Sequence, residues 1–201
     1  MIELPTPAWW LIAAVVGYAL GAVNPAAIVA RVFGVDLRST GSGNPGATNV
    51  GRALGPKWAI LVGLLDVLKG FIPAVVFGAL VGQAAGEVAG VAAVVGHITS
   101  PLLKGRGGKG VATSLGAILG VEPLLAVPVL IAFGIGVAIW HRVGLGAVLA
   151  ALTLILSGLV GWGAGWLDAE VMWFSVVLGV LVLYRHQRNL RDAWAAFRSA
   201  G

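Results

Sequence analysis

The sequence predicts an all-α polytopic membrane protein built as a single transmembrane helical domain over residues 1–201. Three observations support this fold class. First, 59% of the residues are hydrophobic, 10% are charged and the mean hydropathy is +0.97, which is too apolar for a soluble domain. Second, apolar runs separated by breakers have the length of membrane spans. Third, Lys and Arg residues collect in alternate connecting segments.

The apolar runs predict seven transmembrane helices. They cover roughly residues 8–33, 57–81, 84–101, 109–121, 122–140, 145–161 and 169–185. The fourth run is the shortest, because Glu122-Pro123 ends it before the ~20 residues that a span needs. We therefore expect a short fourth helix that begins at the membrane boundary, where helix N-termini commonly form binding sites.

The basic residues predict the orientation of the spans. Apart from Lys69, inside the second span, every Lys and Arg lies at the end of an odd-numbered span or after it. The N-terminus and the segments near the outer ends of the spans hold only acids: Glu3, Glu87, Glu122, Asp168 and Glu170. By the positive-inside rule, the N-terminus is expected outside, and the odd-numbered loops and the C-terminus in the cytoplasm.

The first of three polar stretches covers residues 41–52 and reads GSGNPGATNVGR. Its glycines match GxGxxG, but a dinucleotide-binding fold needs a preceding strand and a βαβ unit, which this pattern lacks. The candidate substrate-binding or catalytic side chains are Ser42, Asn44, Thr48, Asn49 and Arg52. Ser and Asn among glycines are equally typical of a turn, so both interpretations stay open.

The second stretch runs from Gly96-His97 to Thr113 and has the densest mixture of glycine and positive charge. Glycine-rich backbone, cationic side chains and a following helix N-terminus all favour an oxyanion. It is not a Walker A loop, because Gly110 rather than Ser or Thr follows Lys109. The candidate site residues are His97, Lys104, Gly107, Gly108, Lys109, Gly110 and Thr113. The alternative is a solvated basic turn that only sets topology.

The third stretch contains His186 and Asn189, which share one face if the segment is helical. They would place a proton acceptor beside an amide donor, although an interfacial anchor sequence is an equal alternative. Inside the second span, Asp66 and Lys69 have i, i+3 spacing. Because charges within a membrane are costly unless paired or functional, we predict a structural ion pair that braces the site.

The predicted topology puts all three stretches on the cytoplasmic side. Together they offer many hydrogen-bonding and cationic groups and few acids, which indicates a site for anionic substrates at the membrane interface. A phosphate compound with an apolar partner fits best. A transporter or channel for a phosphorylated or other anion is the alternative, although no polar path continues to the outer side. No metal site is expected, because the three histidines form no cluster with Cys or carboxylates.

These motifs resemble the bacterial acyl-phosphate-dependent glycerol-3-phosphate acyltransferases, an integral membrane family. The resemblance is carried by Gly41-Ser42-Gly43-Asn44 through Arg52, by Gly96-His97 through Thr113, and by His186 with Asn189. Asp66-Val67-Leu68-Lys69-Gly70 also matches a family segment. The motifs span nearly the whole chain in the family's order.

The resemblance implies a multi-pass enzyme of the bacterial inner membrane that transfers an acyl chain from acyl phosphate to the 1-hydroxyl of sn-glycerol 3-phosphate. The products would be lysophosphatidic acid and phosphate, in the first step of phospholipid synthesis, with no cofactor and no nucleic acid partner. The implied catalytic residues are Ser42, Arg52, Lys109, His186 and Asn189. The general base is either His186 or a phosphate oxygen of the donor, and either loop is a candidate for either phosphate.

Two features depart from the family pattern. The tail after Asn189 lacks a glutamate, and Gly144 and Gly146 stand where serines are usual. A catalytically inactive relative of the family is therefore a third interpretation.

Overall fold

The computed structural model describes residues 6–200, apart from the side chains at positions 6, 196, 197, 199 and 200, and within this range it is helical without strands. The helices are α1 (Thr6–Ala22), α2 (Pro25–Val32), α3 (Ala47–Leu54), α4 (Pro56–Leu80), α5 (Gln83–Thr99), α6 (Val111–Val121), α7 (Ala126–Trp140), α8 (Val143–Gly163), α9 (Ala169–Arg185) and α10 (Gln187–Ala200). Two short 3₁₀ turns, Pro101–Leu103 and Pro123–Leu125, follow α5 and precede α7.

The helices have the composition of membrane spans. Within the described residues, five stretches are long and apolar enough to cross a bilayer, and α9 with the first part of α10 makes a sixth if that pair, bent by 54°, is one span. Large apolar side chains such as Ile60 and Leu80 face outward, and many buried positions hold alanine or glycine. This arrangement suits a lipid environment, where small residues let helices approach closely. The prediction of a polytopic helical membrane protein is confirmed, and the count of seven spans stays a prediction.

The first predicted span is broken near its end. Asn24 caps α2 by accepting a hydrogen bond from the Ala27 N–H at 2.7 Å, and Pro25 supplies no N–H to continue α1. Carbonyls at the end of α1 therefore need other partners. Ser100 Oγ donates to the Ala22 carbonyl at 2.6 Å, and Lys69 Nζ donates to that of Val23 at 2.7 Å. The break is thus stabilised by one side chain from α4 and by one from the residue that follows α5.

The short helix α6 packs tightly against α4. Its eleven residues extend only about 16 Å, well short of a bilayer's hydrocarbon core. A β-carbon at Gly70 would overlap the Thr113 carbonyl, and one at Gly116 would overlap that of Val67. The two glycines therefore allow the two backbones to touch, which fixes the start of α6 against α4.

The chain forms two compact units, residues 1–123 with α1–α6 and residues 124–201 with α7–α10. In the first unit, α5 packs against α1, α4 and α6, and the polar connections 34–55 and 100–110 follow α2 and α5. In the second unit, α8 packs against both α7 and α9. The expectation of a single domain over 1–201 stays a prediction.

Candidate active site

Asn49 organises the first polar loop. Its side-chain nitrogen donates to the carbonyls of Leu37 and Thr40, each at 2.9 Å, and its Oδ1 accepts from the Ser42 backbone N–H at 3.2 Å. Asn49 is buried at the start of α3, a short helix that the polar sequence did not suggest. Because both amide hydrogens already have protein acceptors, Asn49 shapes the loop, which argues against the predicted direct contact with a substrate.

The side chain of Ser42 is exposed on this loop, and that of Asn44 is half-buried. Thr48 and Arg52 are exposed on α3, which follows the loop. Arg52 lies over Gly41, where a β-carbon would come within 3.2 Å of Arg52 Cδ and 3.4 Å of Nη1. Gly41 also has a φ of +51°, so the glycine is required both by the turn and by this approach. The planar cationic group of Arg52 therefore lies beside Gly41 and is exposed to solvent, where it can bind phosphate oxygens.

Arg38 connects the two polar loops of the first unit, a role that the sequence pattern did not indicate. Its Nη1 donates to the Gly43 carbonyl at 3.2 Å, and its Nη2 donates to the Arg106 carbonyl. Arg38 therefore fixes the GSGN turn relative to the glycine-rich segment 105–110. The signal was present as a basic residue three positions before the glycine turn, but sequence alone does not show which distant carbonyl it contacts.

Two glycine amides of the second loop donate hydrogen bonds within the protein. The Gly107 N–H donates to the Ile98 carbonyl at 3.0 Å and the Gly108 N–H to the His97 carbonyl at 3.1 Å. These hydrogen bonds fold the loop back over the end of α5. Phosphate binding at Gly107 and Gly108 stays a prediction, and the cationic candidates of this stretch are the half-buried Lys109 and the exposed Lys104.

The start of α6 supplies a different set of polar groups. Gly110 precedes the helix with a φ of +83° and contributes no side-chain cap, so the first-turn N–H groups of α6 lack a side-chain acceptor from the capping position. The hydroxyls of Thr113 and Ser114 are buried and have no hydrogen-bond partner within residues 6–200. Buried hydroxyls normally have partners, so this turn has capacity for a water molecule or a ligand oxygen.

A buried ionic group lies below the second loop. Asp66 Oδ1 is 2.9 Å from Lys69 Nζ and 3.5 Å from His97 Nδ1, and all three side chains are at most 8% exposed. The other ring nitrogen of His97, Nε2, lies against Gly108, where a β-carbon would overlap it. His97 thus lies between the charged pair and the loop, buried rather than presented to solvent as a phosphate ligand would be.

The third predicted stretch belongs to the second unit. His186 is buried at the junction of α9 and α10, and its Nδ1 is 2.8 Å from the Val182 carbonyl. Asn189 lies in the first turn of α10 against Gly144, where a β-carbon would overlap Asn189 Nδ2. Gly146 is a packing position, since a β-carbon there would lie 2.6 Å from Val137 Cγ2. The two glycines that depart from the family pattern therefore stand at close contacts.

The structure thus brings the first two stretches together through Arg38, and the meeting of the third stretch with them stays a prediction. Lys104 is exposed just after the 3₁₀ turn Pro101–Leu103.

Comparison with known proteins gives concordant results. Residues 11–196 match the model of the family described as glycerol-3-phosphate acyltransferase. A glycerol-3-phosphate acyltransferase of Aquifex aeolicus is 39% identical over 177 residues, covering 86% of this chain and 89% of that protein. Glycerol-3-phosphate acyltransferase 1 of Deinococcus radiodurans is 40% identical over 190 residues, covering 92% of each.

Two solved structures share the fold. The crystal structure of PlsY, an integral membrane glycerol 3-phosphate acyltransferase, in its glycerol 3-phosphate form has a TM-score of 0.84 and 36% identity, covering 93% of this chain and 92% of that one. The lysophosphatidic acid form of PlsY has a TM-score of 0.81 with the same identity and coverage.

Proposed function

This chain belongs to the glycerol-3-phosphate acyltransferase family, and we propose that it transfers an acyl chain from acyl phosphate to the 1-hydroxyl of sn-glycerol 3-phosphate. The products are lysophosphatidic acid and inorganic phosphate, in the first step of phospholipid synthesis. The observation that carries this proposal is the match over nearly the whole chain, which includes a TM-score of 0.84 to an acyltransferase in its glycerol 3-phosphate form.

The reaction requires little covalent chemistry from the protein. The 1-hydroxyl oxygen attacks the acyl carbon of the mixed anhydride and forms an ester, while the bond from that carbon to the phosphate oxygen breaks and phosphate leaves with the electron pair. Because the donor is already activated, no acyl-enzyme is needed. The protein has to neutralise two phosphates, orient the hydroxyl and stabilise the leaving group.

The first two loops supply groups suited to these tasks. Arg52 provides a planar cation for a phosphate, Ser42 and Thr48 provide exposed hydroxyls, and Lys109 provides a second cation. The buried Thr113 hydroxyl lies at the α6 N-terminus, where the helix dipole favours negative charge. Asn49 and Arg38 act as positioning residues, because they hold the loops that carry these groups.

His186 and Asn189 complete the set of proposed catalytic residues. The hydroxyl proton passes to a phosphate oxygen of the donor, and His186 and Asn189 orient the reacting groups. His186 suits an orienting role because its Nδ1 is held at 2.8 Å by the Val182 carbonyl, which fixes the direction of the ring.

The enzyme is proposed to cross the bacterial inner membrane seven times, with α6 as the short fourth span, the N-terminus outside and the C-terminus in the cytoplasm. The alternation of basic and acidic segments supports this orientation, in which the first two loops face the cytoplasm. A cysteine introduced at Arg185 should be labelled by a membrane-impermeant reagent only from the cytoplasmic side.

The direct test is a purified-enzyme assay with palmitoyl phosphate and labelled glycerol 3-phosphate. We expect labelled lysophosphatidic acid and one equivalent of phosphate, with no product from palmitoyl-CoA or palmitoyl acyl carrier protein. Folded protein that forms no product above a no-enzyme control would contradict the proposal. The anion-transport alternative is not favoured by the family match, and it predicts phosphate flux into proteoliposomes instead.

A further inference from the structure

We propose that a basic pocket at the edge of the first unit binds the phosphate headgroup of an anionic membrane lipid. The pocket has a volume of about 540 Å³ and is lined by Arg38, Leu102, Leu103, Lys104 and Arg106. This volume lies in the range of sites for small molecules. The proposal concerns lipid binding and does not rest on the acyl transfer reaction.

The pocket lies where a membrane span ends. The candidate span Gln83–Leu103 finishes one residue before Lys104, and Leu102 is 71% exposed at its last turn. At this depth the apolar core of a bilayer gives way to headgroups. The lining therefore offers leucines to acyl chains and three cations to the layer of lipid phosphates, a combination that is typical of headgroup sites on membrane proteins.

Three cations line the same pocket, and its lining contains no acid. Arg38 is fixed by donating to the Gly43 and Arg106 carbonyls, and it keeps further N–H donors for a ligand because a guanidinium has five. The nearby Asp36 carboxylate accepts from the Arg38 backbone N–H at 2.8 Å. An anion bound between the three side chains would offset their mutual repulsion.

The backbone of Lys104 gives a second, independent reason. Lys104 has a φ of +53° and a ψ of +43°, a left-handed conformation that is unfavourable for a residue with a β-carbon and favours glycine. If this position served only the turn after the span, glycine would serve it better. A lysine in a strained conformation is accounted for when its ammonium group contributes to binding.

The test measures lipid affinity rather than turnover. The full-length protein in a neutral detergent is titrated with short-chain phosphatidylglycerol, and bound lipid is counted by native mass spectrometry. We compare Lys104→Gly, Arg106→Gln and the double variant with Lys57→Gln, which removes an exposed cation outside the pocket. We expect affinity to fall about fivefold for each removed pocket cation and to change less than twofold in Lys57→Gln.

Melting temperature separates binding from folding, because Lys104→Gly relieves the positive φ and should melt no lower than the wild type. Two further ligands identify the source of the phosphate. Phosphatidylcholine, which has no net charge, should bind more weakly than phosphatidylglycerol, and inorganic phosphate at the same concentration should displace little lipid. Equal phosphatidylglycerol affinity in the double variant, an equal loss in Lys57→Gln, or inorganic phosphate binding as tightly as the lipid would each overturn the proposal.

Discussion

The buried charged residues of α4 have interaction partners within the protein, whereas the exposed polar residues in and after the first polar loop face solvent. Asp66 and Lys69 lie within hydrogen-bonding distance of each other, and Lys69 also binds the Val23 carbonyl. Ser42 and Arg52, in contrast, are exposed residues of the loop and of the following helix α3, and Asn49 maintains the shape of that loop. The first set stabilises the helices, and the second set remains available to a substrate.

The burial and the partners of a polar residue distinguish a structural role from a catalytic one. The number of charged residues alone does not make this distinction. A buried ion pair costs little when complete and much when one partner is removed. An exposed cation contributes little to stability, so its removal should change binding and turnover while the protein stays folded. Substitutions at these residues distinguish the two roles.

The largest effect is expected for Lys69→Met. This change removes the cation nearest to the buried Asp66 carboxylate, which keeps only His97 Nδ1, at 3.5 Å, and it also removes the donor to the Val23 carbonyl. We therefore expect a loss of about 3 kcal/mol of stability. The melting temperature in detergent should fall by roughly 10 °C. Leu64→Met, at a lipid-exposed position of the same helix, is the control and should melt like the wild type. Adding Asp66→Asn to Lys69→Met should recover at least half of the loss, and a wild-type melting temperature for Lys69→Met alone would place this pair outside the structural group.

The next effect concerns Arg52→Ala. If Arg52 binds a phosphate as proposed, its removal should lower kcat/KM by about 10²–10³-fold, because a charge that develops in the transition state loses its partner. The melting temperature should stay within about 2 °C of the wild type, since the side chain is exposed. Arg31→Ala, an exposed cation of α2, should retain normal kinetics.

Lys109→Ala tests the same idea in the second loop and should also abolish most turnover. If Arg52→Ala and Lys109→Ala both behaved like the wild type, the two loops would not form the substrate site. Arg52→Lys should restore only part of the activity, because an ammonium group cannot make the two parallel hydrogen bonds of a guanidinium.

Much of the architecture was predictable because a membrane imposes simple requirements. The apolar runs anticipate the helices within a few residues, and the family motifs anticipate the family. The break at Asn24-Pro25 was not predicted, although an asparagine cap followed by proline is a local signal for a helix start. The contacts of Lys69 and Ser100 that stabilise the break join residues far apart in sequence, so the sequence did not show them.

The roles within the candidate site were harder to predict for the same reason. A sequence shows that Gly107 and Gly108 permit close backbone approach, but not that their N–H groups are directed at the end of α5. Similarly, an asparagine at position 49 suggests hydrogen bonding, but the sequence does not show that the carbonyls of Leu37 and Thr40 are its acceptors. The non-local contacts decide whether a polar group serves the fold or a ligand.

Gly108→Ala tests the contact between the second loop and His97, which belongs to the buried ionic group. The added β-carbon would overlap His97 Nε2, so the loop or the buried ring has to move. We expect a stability loss of about 1–3 kcal/mol and a fall in kcat/KM of about tenfold to hundredfold, because displacement of the loop misplaces Lys109. Gly63→Ala in α4 is the matched control, since its β-carbon would make only an ordinary contact, at 3.7 Å from Ala47 Cβ. Wild-type kinetics in Gly108→Ala would show that His97 does not position the loop.

The smallest effect is expected for Gly144→Ala in the second unit. Its β-carbon would overlap the end of the Asn189 side chain, which can rotate away, so the melting temperature should change by less than about 2 °C. If Asn189 orients a reacting group, its rotation should lower kcat about threefold to tenfold, equivalent to about 0.7–1.4 kcal/mol. Gly134→Ala, in α7 with open space around it, should leave kcat unchanged and slightly raise the melting temperature, because alanine favours a helix. The double variant Gly144→Ala/Asn189→Ala should be no slower than Asn189→Ala alone, since both changes remove the same orientation, whereas an additive loss would assign Gly144 a separate effect.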